Sequence, residues 1–545
     1  MALKTNMTES GHVDTFTRDN LPGEADWPEL IFSLPELHYA DQLNAASILL
    51  EGAIAAGHGD RPAIMFDGGM WTYHELSAKA HRIAAALAND MSVQPGNRIL
   101  LRGRNNPMMI ACWYGILLVG GVVVATMPML RAPELITIID KAKIDLALTE
   151  NSLMDDVIAA QKGSKRRLRA VAFGNEGAEL EALIAKPCGG FKPASTAQDD
   201  VALLAFTSGT TGQPKACMHF HRDILAMADT YARHILEPTE SDVFCGSPPI
   251  AFTFGLGAIV VFPARFGAAV ALPPAPGPDA LLNAIEDHGV TMLFTAPTAY
   301  RALLDQIKDR DLSSLKCCVS AGEALPAATW HAWKEATGLS LMDGIGATEM
   351  IHIFIAARGN DIRPGFTGKA VPGYQACLLD AESHILPPPA EGRLAVKGPT
   401  GCRYLADERQ KNYVVGGWNV TGDIYRQDKD GYFAFVARSD DMIVSSGYNI
   451  GGPEVEAALL AHPAVKECAV IGIPDESRGQ IVKAFIITDT KQTDSLIKSL
   501  QDHVKKTIAP YKYPRAIEFI DELPKTQTGK VQRFKLRPQT TRREL

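Results

Sequence analysis

The chain has 545 residues, of which 46% are hydrophobic and 21% charged, with a formal net charge of −8. These values suit a folded globular protein of roughly two to four domains. The acidic balance argues against nucleic acid as the main partner, so any anionic substrate must meet local basic patches. Nine cysteines are scattered, with only Cys317 and Cys318 adjacent. No C-x-x-C or Cys/His spacing occurs, which excludes zinc-ribbon and redox classes and suits reduced thiols in a cytoplasmic location.

In chain order, the first segment is polar (Thr5, Asn6, Thr8, Glu9, Ser10, His12, Asp14) and lacks the basic-then-apolar layout of a signal peptide. The run Arg98–Leu101 reads as a strand. Residues 107–130 carry no charge, a length sufficient to span a membrane. Gly115, Gly120, Gly121 and Pro128 interrupt it, so the spacing predicts a buried helix over 107–119, a Gly-Gly turn and a buried strand over 122–126. No membrane partner is expected. Further strands are predicted at 146–148, 171–173, 201–206, 291–294 and 317–319. Alternation of strands with helical patterns reads as an α/β domain with largely parallel sheets.

Beyond about residue 365, Gly, Pro and short alternating segments predict a β-rich subdomain running through Tyr432–Phe435. The charged turn Arg438-Ser439-Asp440-Asp441 marks a boundary. A compact α+β segment follows: a helix at 453–461 with Pro453 in its first turn, strands at 467–473 and 482–488, and a helix at 494–507. The expected fold class is thus α/β, with a large N-terminal domain (1–439) and a small α+β C-terminal domain (440–545).

The most informative stretch follows the apolar run Val201–Phe206. It reads Thr207-Ser208-Gly209-Thr210-Thr211-Gly212-Gln213-Pro214-Lys215. Its glycines let main-chain N–H groups turn toward an anion. The hydroxyls add donors, and Lys215 adds a mobile positive charge. This is a polyphosphate cradle, but not the P-loop of ordinary NTPases, because Gln213 and Pro214 separate Gly212 from Lys215.

With four further motifs in order, the loop resembles the signature of the adenylate-forming superfamily, which includes acyl-CoA synthetases. The others are Gly346-Ala347-Thr348-Glu349, Trp418–Asp423, Arg438–Gly447 and Pro524–Lys530. Ser320–Pro326, Glu349–Phe354 and Tyr511–Arg515 resemble the benzoate-CoA ligase branch. Thr126–Ala132 and Lys397–Tyr404 are most similar to its 2-aminobenzoate-CoA ligases. The resemblance implies ATP, CoA and Mg2+ as cofactors, a small aromatic acid as substrate, and a mobile C-terminal domain. It leaves a homodimer open.

The resemblance also implies roles. Thr207, Ser208, Gly209, Thr210, Thr211, Gly212 and Lys215 would hold the phosphates. Gly322, Glu323, Ala324, Asp343 and Gly344 would meet adenine. Asp423 would clamp the ribose, with Arg438 reaching ribose or phosphate. Thr348 would donate to the α-phosphate, and Glu349 would be the metal ligand, since hard cations prefer oxygen. Lys530 would position the acid's carboxylate against the α-phosphate by charge rather than by proton transfer. Rotation about Asp440 would then withdraw Lys530 and present Ser446 and Gly447, whose missing Cβ admits a pantetheine arm.

Thr253, Phe254, Gly346, His352 and Ile353 are the expected acid pocket. Phe254 offers a flat apolar face, and His352 is read either as a partner for a ring substituent or as a core histidine bonded to main chain. The expected activity is ATP-dependent conversion of a 2-aminobenzoate- or benzoate-type acid to its aryl-CoA, with release of AMP and pyrophosphate. The alternatives are a CoA ligase for another acid, or an adenylation enzyme loading a carrier protein. Two departures from relatives are Gly451-Gly452, where bulkier residues are common, and Val444, where several aryl relatives carry lysine.

Overall fold

A computed structural model of the protein describes residues 7–174, 177–187, 190–207, 214–439, 441–445, 448–475, 478–525 and 530–537. The uncharged stretch folds as expected into a core helix and a core strand. Asn106 caps the helix Pro107–Leu118 by accepting from the Met109 N–H (2.8 Å), and Pro107 occupies its first turn. Every residue from Met109 to Leu118 is buried, so the helix can be apolar all round. Gly120 adopts φ +77°, a conformation that favours glycine, and the chain enters the fully buried strand Val122–Thr126. Among the described residues, no helix is long and apolar enough to cross a membrane.

Two large sheets build the N-terminal body. A six-stranded sheet runs 169–173, 146–150, 98–102, 122–126, 201–207 and 215–220. All its pairs are parallel except the last, a hairpin that pairs Thr207 with Lys215 and so brings the two ends of the phosphate loop together. A nine-stranded sheet has a parallel centre (62–66, 269–272, 243–246, 292–295, 317–321, 341–346) and antiparallel edges. Helices pack on both, as α/β architecture requires.

The β-rich subdomain is an antiparallel sheet centred on 390–397 and 418–427. Within it, Asp423 pairs with Arg438 across the ladder. After residue 441 comes a five-stranded sheet with helices Gly452–Leu460 and Asp494–Thr507. It has its own core of Ile443, Ile450, Val455, Leu459, Val470, Val482, Ile486 and Leu500.

Candidate active site

Several predicted site residues, Thr207, Gly322, Asp343, Gly344 and Gly346 among them, lie on or just after parallel strands, toward the carboxyl ends where open α/β sheets place their ligands. Strand Leu341–Gly346 delivers Asp343, Gly344 and Gly346. A 3-10 turn, Thr348–Met350, then presents Thr348 and Glu349, and the chain returns along Ile353–Ala356. Between them Ile351 adopts φ +65° while fully buried. That conformation is strained for a β-branched residue, and such strain concentrates at functional sites. Gly346 sits where a Cβ would come 2.7 Å from the His352 carbonyl oxygen, so the returning chain demands glycine there.

On the phosphate side, Lys215 Nζ donates to the Tyr404 hydroxyl (3.1 Å), which donates to Glu349 Oε1 (2.5 Å). Behind them, His219 Nε2 donates to the Thr348 carbonyl (2.8 Å), which places a proton on that nitrogen. Its other face meets Asp223, which pairs with Arg403 at 2.7 Å. Burial raises the Asp223 carboxyl, but Arg403 and the other donors outweigh it and bring it down to about 2. Lys141 donates to the Pro214 carbonyl (3.1 Å) at the exit of the phosphate loop and pairs with Asp407 (3.1 Å). Sequence marks Tyr404 only as the end of the Lys397–Tyr404 stretch, with no role of its own, and does not mark His219 or Lys141. Ser208, Gly209, Thr210, Thr211 and Gly212 lie outside the described residues, as do Asp440, Ser446 and Gly447.

On the nucleoside side, Asp423 pairs with Arg438 at 3.0 Å. Burial raises the Asp423 carboxyl, and Arg438 opposes the rise. Asp343 is pushed up to about 7 by burial, and its Oδ1 is sealed from solvent without a hydrogen-bond partner. Ser320, its register partner on the neighbouring strand, likewise has a sealed, unpartnered Oγ. Two orphaned polar atoms at the strand ends fit a ligand such as adenine, which offers both donors and acceptors. Gly322 has φ +93° beside Glu323 and the exposed Ala324.

Lys530 reaches this cleft from the C-terminal segment. The surrounding protein lowers its pKa, and the carboxylates of Glu323 and Asp423 push the other way. Its side chain is exposed, so the loss of hydration is partial. Glu323 is raised by burial and lowered again by Lys530 and Lys525.

The acid side is different in kind. His352 is buried, and neither ring nitrogen makes a full hydrogen bond among the described residues, while the Phe254 main chain lies close enough to favour the protonated ring a little. Burial drives its pKa down to about 3, so the imidazole is neutral. Rings of Phe262, Tyr231 and Phe254 surround it at 4.7, 5.3 and 5.8 Å between centroids. The Tyr231 hydroxyl is also buried and unpartnered. Tyr231 and Gly257 lie on π-helical segments, Ala228–Leu236 and Gly257–Val261, a distortion common at functional sites. A Cβ on Gly257 would meet the His352 ring at 2.5 Å. Thr253 and Phe254 open the helix leading into that segment, and Ile353 is buried beside Gly344. Tyr231 was not anticipated: in sequence it is one aromatic in an ordinary helical pattern.

The donor set also fits magnesium. No cluster of three His, Cys, Asp or Glu occurs among the described residues, so no all-protein cage is present. Magnesium needs none, being held by one or two carboxylates together with substrate phosphates. Glu349 has Oε1 committed to Tyr404 and no protein partner on Oε2 among the described residues.

Comparison with known proteins agrees with this architecture. Residues 53–404 match the AMP-binding enzyme family and residues 454–530 the AMP-binding enzyme C-terminal domain. A benzoate–CoA ligase of Thauera aromatica is 35% identical over 514 residues, covering 92% of this chain and 97% of that protein. A solved anthranilate–CoA ligase, AuaEII, in complex with anthranoyl-AMP, superposes with TM-score 0.87 at 35% identity, covering 92% of this chain and 98% of that one. A benzoate–CoA ligase from Burkholderia xenovorans gives TM-score 0.83 at 31% identity, covering 91% and 100%. The chain belongs to the AMP-binding enzyme family, within its benzoate–CoA ligase branch, as an acid–thiol ligase served by ATP, CoA and Mg2+.

Proposed function

We propose that this ligase activates an aromatic carboxylic acid of the 2-aminobenzoate type. The observation that carries the reading is a pair of buried polar groups unmet among the described residues, His352 and Tyr231, set among the rings of Phe254 and Phe262. A benzoate ring packs against Phe254 and Phe262. An ortho amino group adds N–H donors, which a neutral imidazole nitrogen accepts. The similarity to an anthranilate–CoA ligase supports the same substrate class.

In the first half-reaction a carboxylate oxygen of the acid attacks the α-phosphorus of ATP, and the bond to the β-phosphate breaks to release pyrophosphate. Lys530 holds the two anions together by charge, and Thr348 donates to the α-phosphate. Asp423 accepts from the ribose hydroxyls, with Arg438 beside it. Magnesium, when bound, offsets the charge of the phosphates; Glu349 is the residue that would hold it. In the second half-reaction the CoA sulfur attacks the acyl carbon, AMP leaves, and the thiol proton passes to solvent. We assign residues 1–439 to the adenylation domain and 440–545 to a mobile domain turning at Asp440. The eight described cysteines are all unpaired thiols, in keeping with a cytoplasmic setting.

The test is pyrophosphate release with 2-aminobenzoate, benzoate, hydroxybenzoates and medium-chain acids, each with and without CoA. The reading requires the highest kcat/KM with 2-aminobenzoate and full turnover only with CoA. Preference for a medium-chain acid would overturn the substrate. Turnover requiring a pantetheinylated carrier protein would overturn the acceptor.

A further inference from the structure

Lys215 and Glu349 carry opposite charges on the phosphate side, yet they form no direct ion pair. Tyr404 stands between them, accepting from Lys215 Nζ at 3.1 Å and donating to Glu349 Oε1 at 2.5 Å. The Lys215 ammonium also lies 4.8 Å from the Tyr404 ring centroid. Tyr404 is 1% exposed, and its ring packs edge-on against Tyr413 at 5.8 Å.

The backbone fixes it as firmly. Residues 403–405 pair along the strand Lys215–Phe220: Met218 N–H donates to the Arg403 carbonyl (2.7 Å) and Leu405 N–H to the Ala216 carbonyl (2.9 Å). The Tyr404 N–H donates to Gln410 Oε1 at 2.9 Å. The hydroxyl therefore has one position, set by a sheet edge and two aromatic contacts.

We propose that Tyr404 is a positioning residue: it holds Glu349 for the magnesium of MgATP and keeps the Lys215 ammonium from neutralising that carboxylate. The phenol has one proton. Glu349 takes it, which leaves Lys215 to donate into the phenol oxygen and fixes the order of the chain. With Oε1 held by Tyr404, Oε2 has no protein partner among the described residues and is left for a metal. Without the hydroxyl, Lys215 and Glu349 are free to close on each other in a partly buried site, and that ion pair would consume both charges the nucleotide needs. Partners of metal ligands in this position typically matter by 10- to 100-fold in affinity.

The inference rests on the reading of Glu349 as the metal-side carboxylate, and the experiment separates the two. Mn2+ affinity is measured by electron paramagnetic resonance on the full-length protein saturated with a non-hydrolysable ATP analogue. Wild type is compared with Tyr404→Phe and Glu349→Gln. Thioester formation from supplied aryl adenylate and CoA, which needs no MgATP, is measured on the same samples. Expected are a loss of about tenfold or more in Mn2+ affinity for both variants, a raised KM for MgATP in Tyr404→Phe, and an unchanged rate from supplied adenylate. Wild-type Mn2+ affinity in Tyr404→Phe, with Glu349→Gln weakened, would overturn the role of Tyr404 and leave that of Glu349 standing. Wild-type affinity in Glu349→Gln would overturn both. Loss of the supplied-adenylate reaction in Tyr404→Phe would reduce Tyr404 to a packing residue and also overturn the proposal.

Discussion

The two sides of the turn at residues 348–352 treat polar groups in opposite ways. On the phosphate side, Lys215, Tyr404 and Glu349 are linked in a chain, and His219 supports the Thr348 carbonyl. On the acid side, both His352 nitrogens and the Tyr231 hydroxyl are sealed from solvent without a hydrogen-bond partner among the described residues. Buried Ile351, with its left-handed backbone, joins the two. A preorganised network suits a step in which charge develops at a fixed phosphorus, because no reorganisation is needed when it does. Unmet donors and acceptors suit a pocket whose hydrogen bonds are completed by its ligand, since an analogue lacking the matching group leaves them unpaired. The proposed function puts catalysis and selectivity on opposite sides of one short turn.

The largest break in this comparison comes from Lys530, which the proposed function has serve both sides at once by holding carboxylate against phosphate. Lys530→Ala should lower the rate of adenylate formation by about 100- to 1000-fold, the scale of a lost charge-stabilising donor. Thioester formation from supplied adenylate should be spared. Pyrophosphate release and thioester formation, assayed separately, check this; equal loss in both would refute a role confined to the first half-reaction.

A second break uses acid. The folded-state pKa of His352 lies at about 3, below the ordinary value of 6.5. Between these values the unfolded chain binds a proton that the native state refuses. Stability from this source is present above pH 6.5 and is lost as pH falls toward 3. From pH 7 to pH 5 the loss is about 2 kcal/mol. His352→Leu should therefore show a shallower fall in urea unfolding free energy over that interval. Identical slopes would mean that the buried imidazole finds a proton partner.

Much of this was legible in the sequence, for physical reasons. Continuous apolar runs gave the parallel strands, since a strand buried on both faces shows no alternation. The helix at 107–118 followed from an uncharged run broken by Gly120 and Gly121, and the C-terminal helices and strands followed from their periodicity. The ordered motifs pointed to Thr348, Glu349, Asp423 and Lys530 as site residues, and the structure brings Lys530 into the field of Asp423. Tyr404, Tyr231, His219 and Lys141 were not legible, because each acts through a contact made by distant segments. Tyr404 meets Glu349 across 55 positions and His219 meets Thr348 across 129. No local pattern marks a tyrosine whose hydroxyl bridges two motifs.

The comparison is sharpened by reading the acid side directly. Loss of one hydrogen bond typically costs about 0.5–1.5 kcal/mol, or roughly two- to twelve-fold. His352→Ala should lower kcat/KM for 2-aminobenzoate by that much more than for benzoate, with Tyr231→Phe acting in the same direction at the low end. Parallel losses for the two acids would show that His352 shapes the pocket without reading the substituent.

The smallest expected effect tests how far the satisfied side extends. Among the described residues, Lys141 makes no hydrogen bond or ion pair with a predicted site side chain. It donates to the carbonyl of Pro214, immediately before Lys215, and its ammonium is paired with Asp407. Burial raises the Asp407 carboxyl, but the hydrogen bond from Arg409, followed by that from Lys141, outweighs it and holds the carboxyl far below the usual range. Lys141→Met keeps the apolar stem and removes the donor, so the strand register at Thr207 and Lys215 is retained while the loop exit loses a tie. Lys141 is a quarter exposed, which discounts the ion pair toward the surface value of about 0–1 kcal/mol. The KM for ATP should rise by roughly two- to five-fold, on the scale of one hydrogen bond. The kcat at saturating ATP and the selectivity between 2-aminobenzoate and benzoate should hold. A change in acid selectivity would mean that strain at the loop exit crosses Ile351 into the pocket, and that the two sides of the turn are not independent.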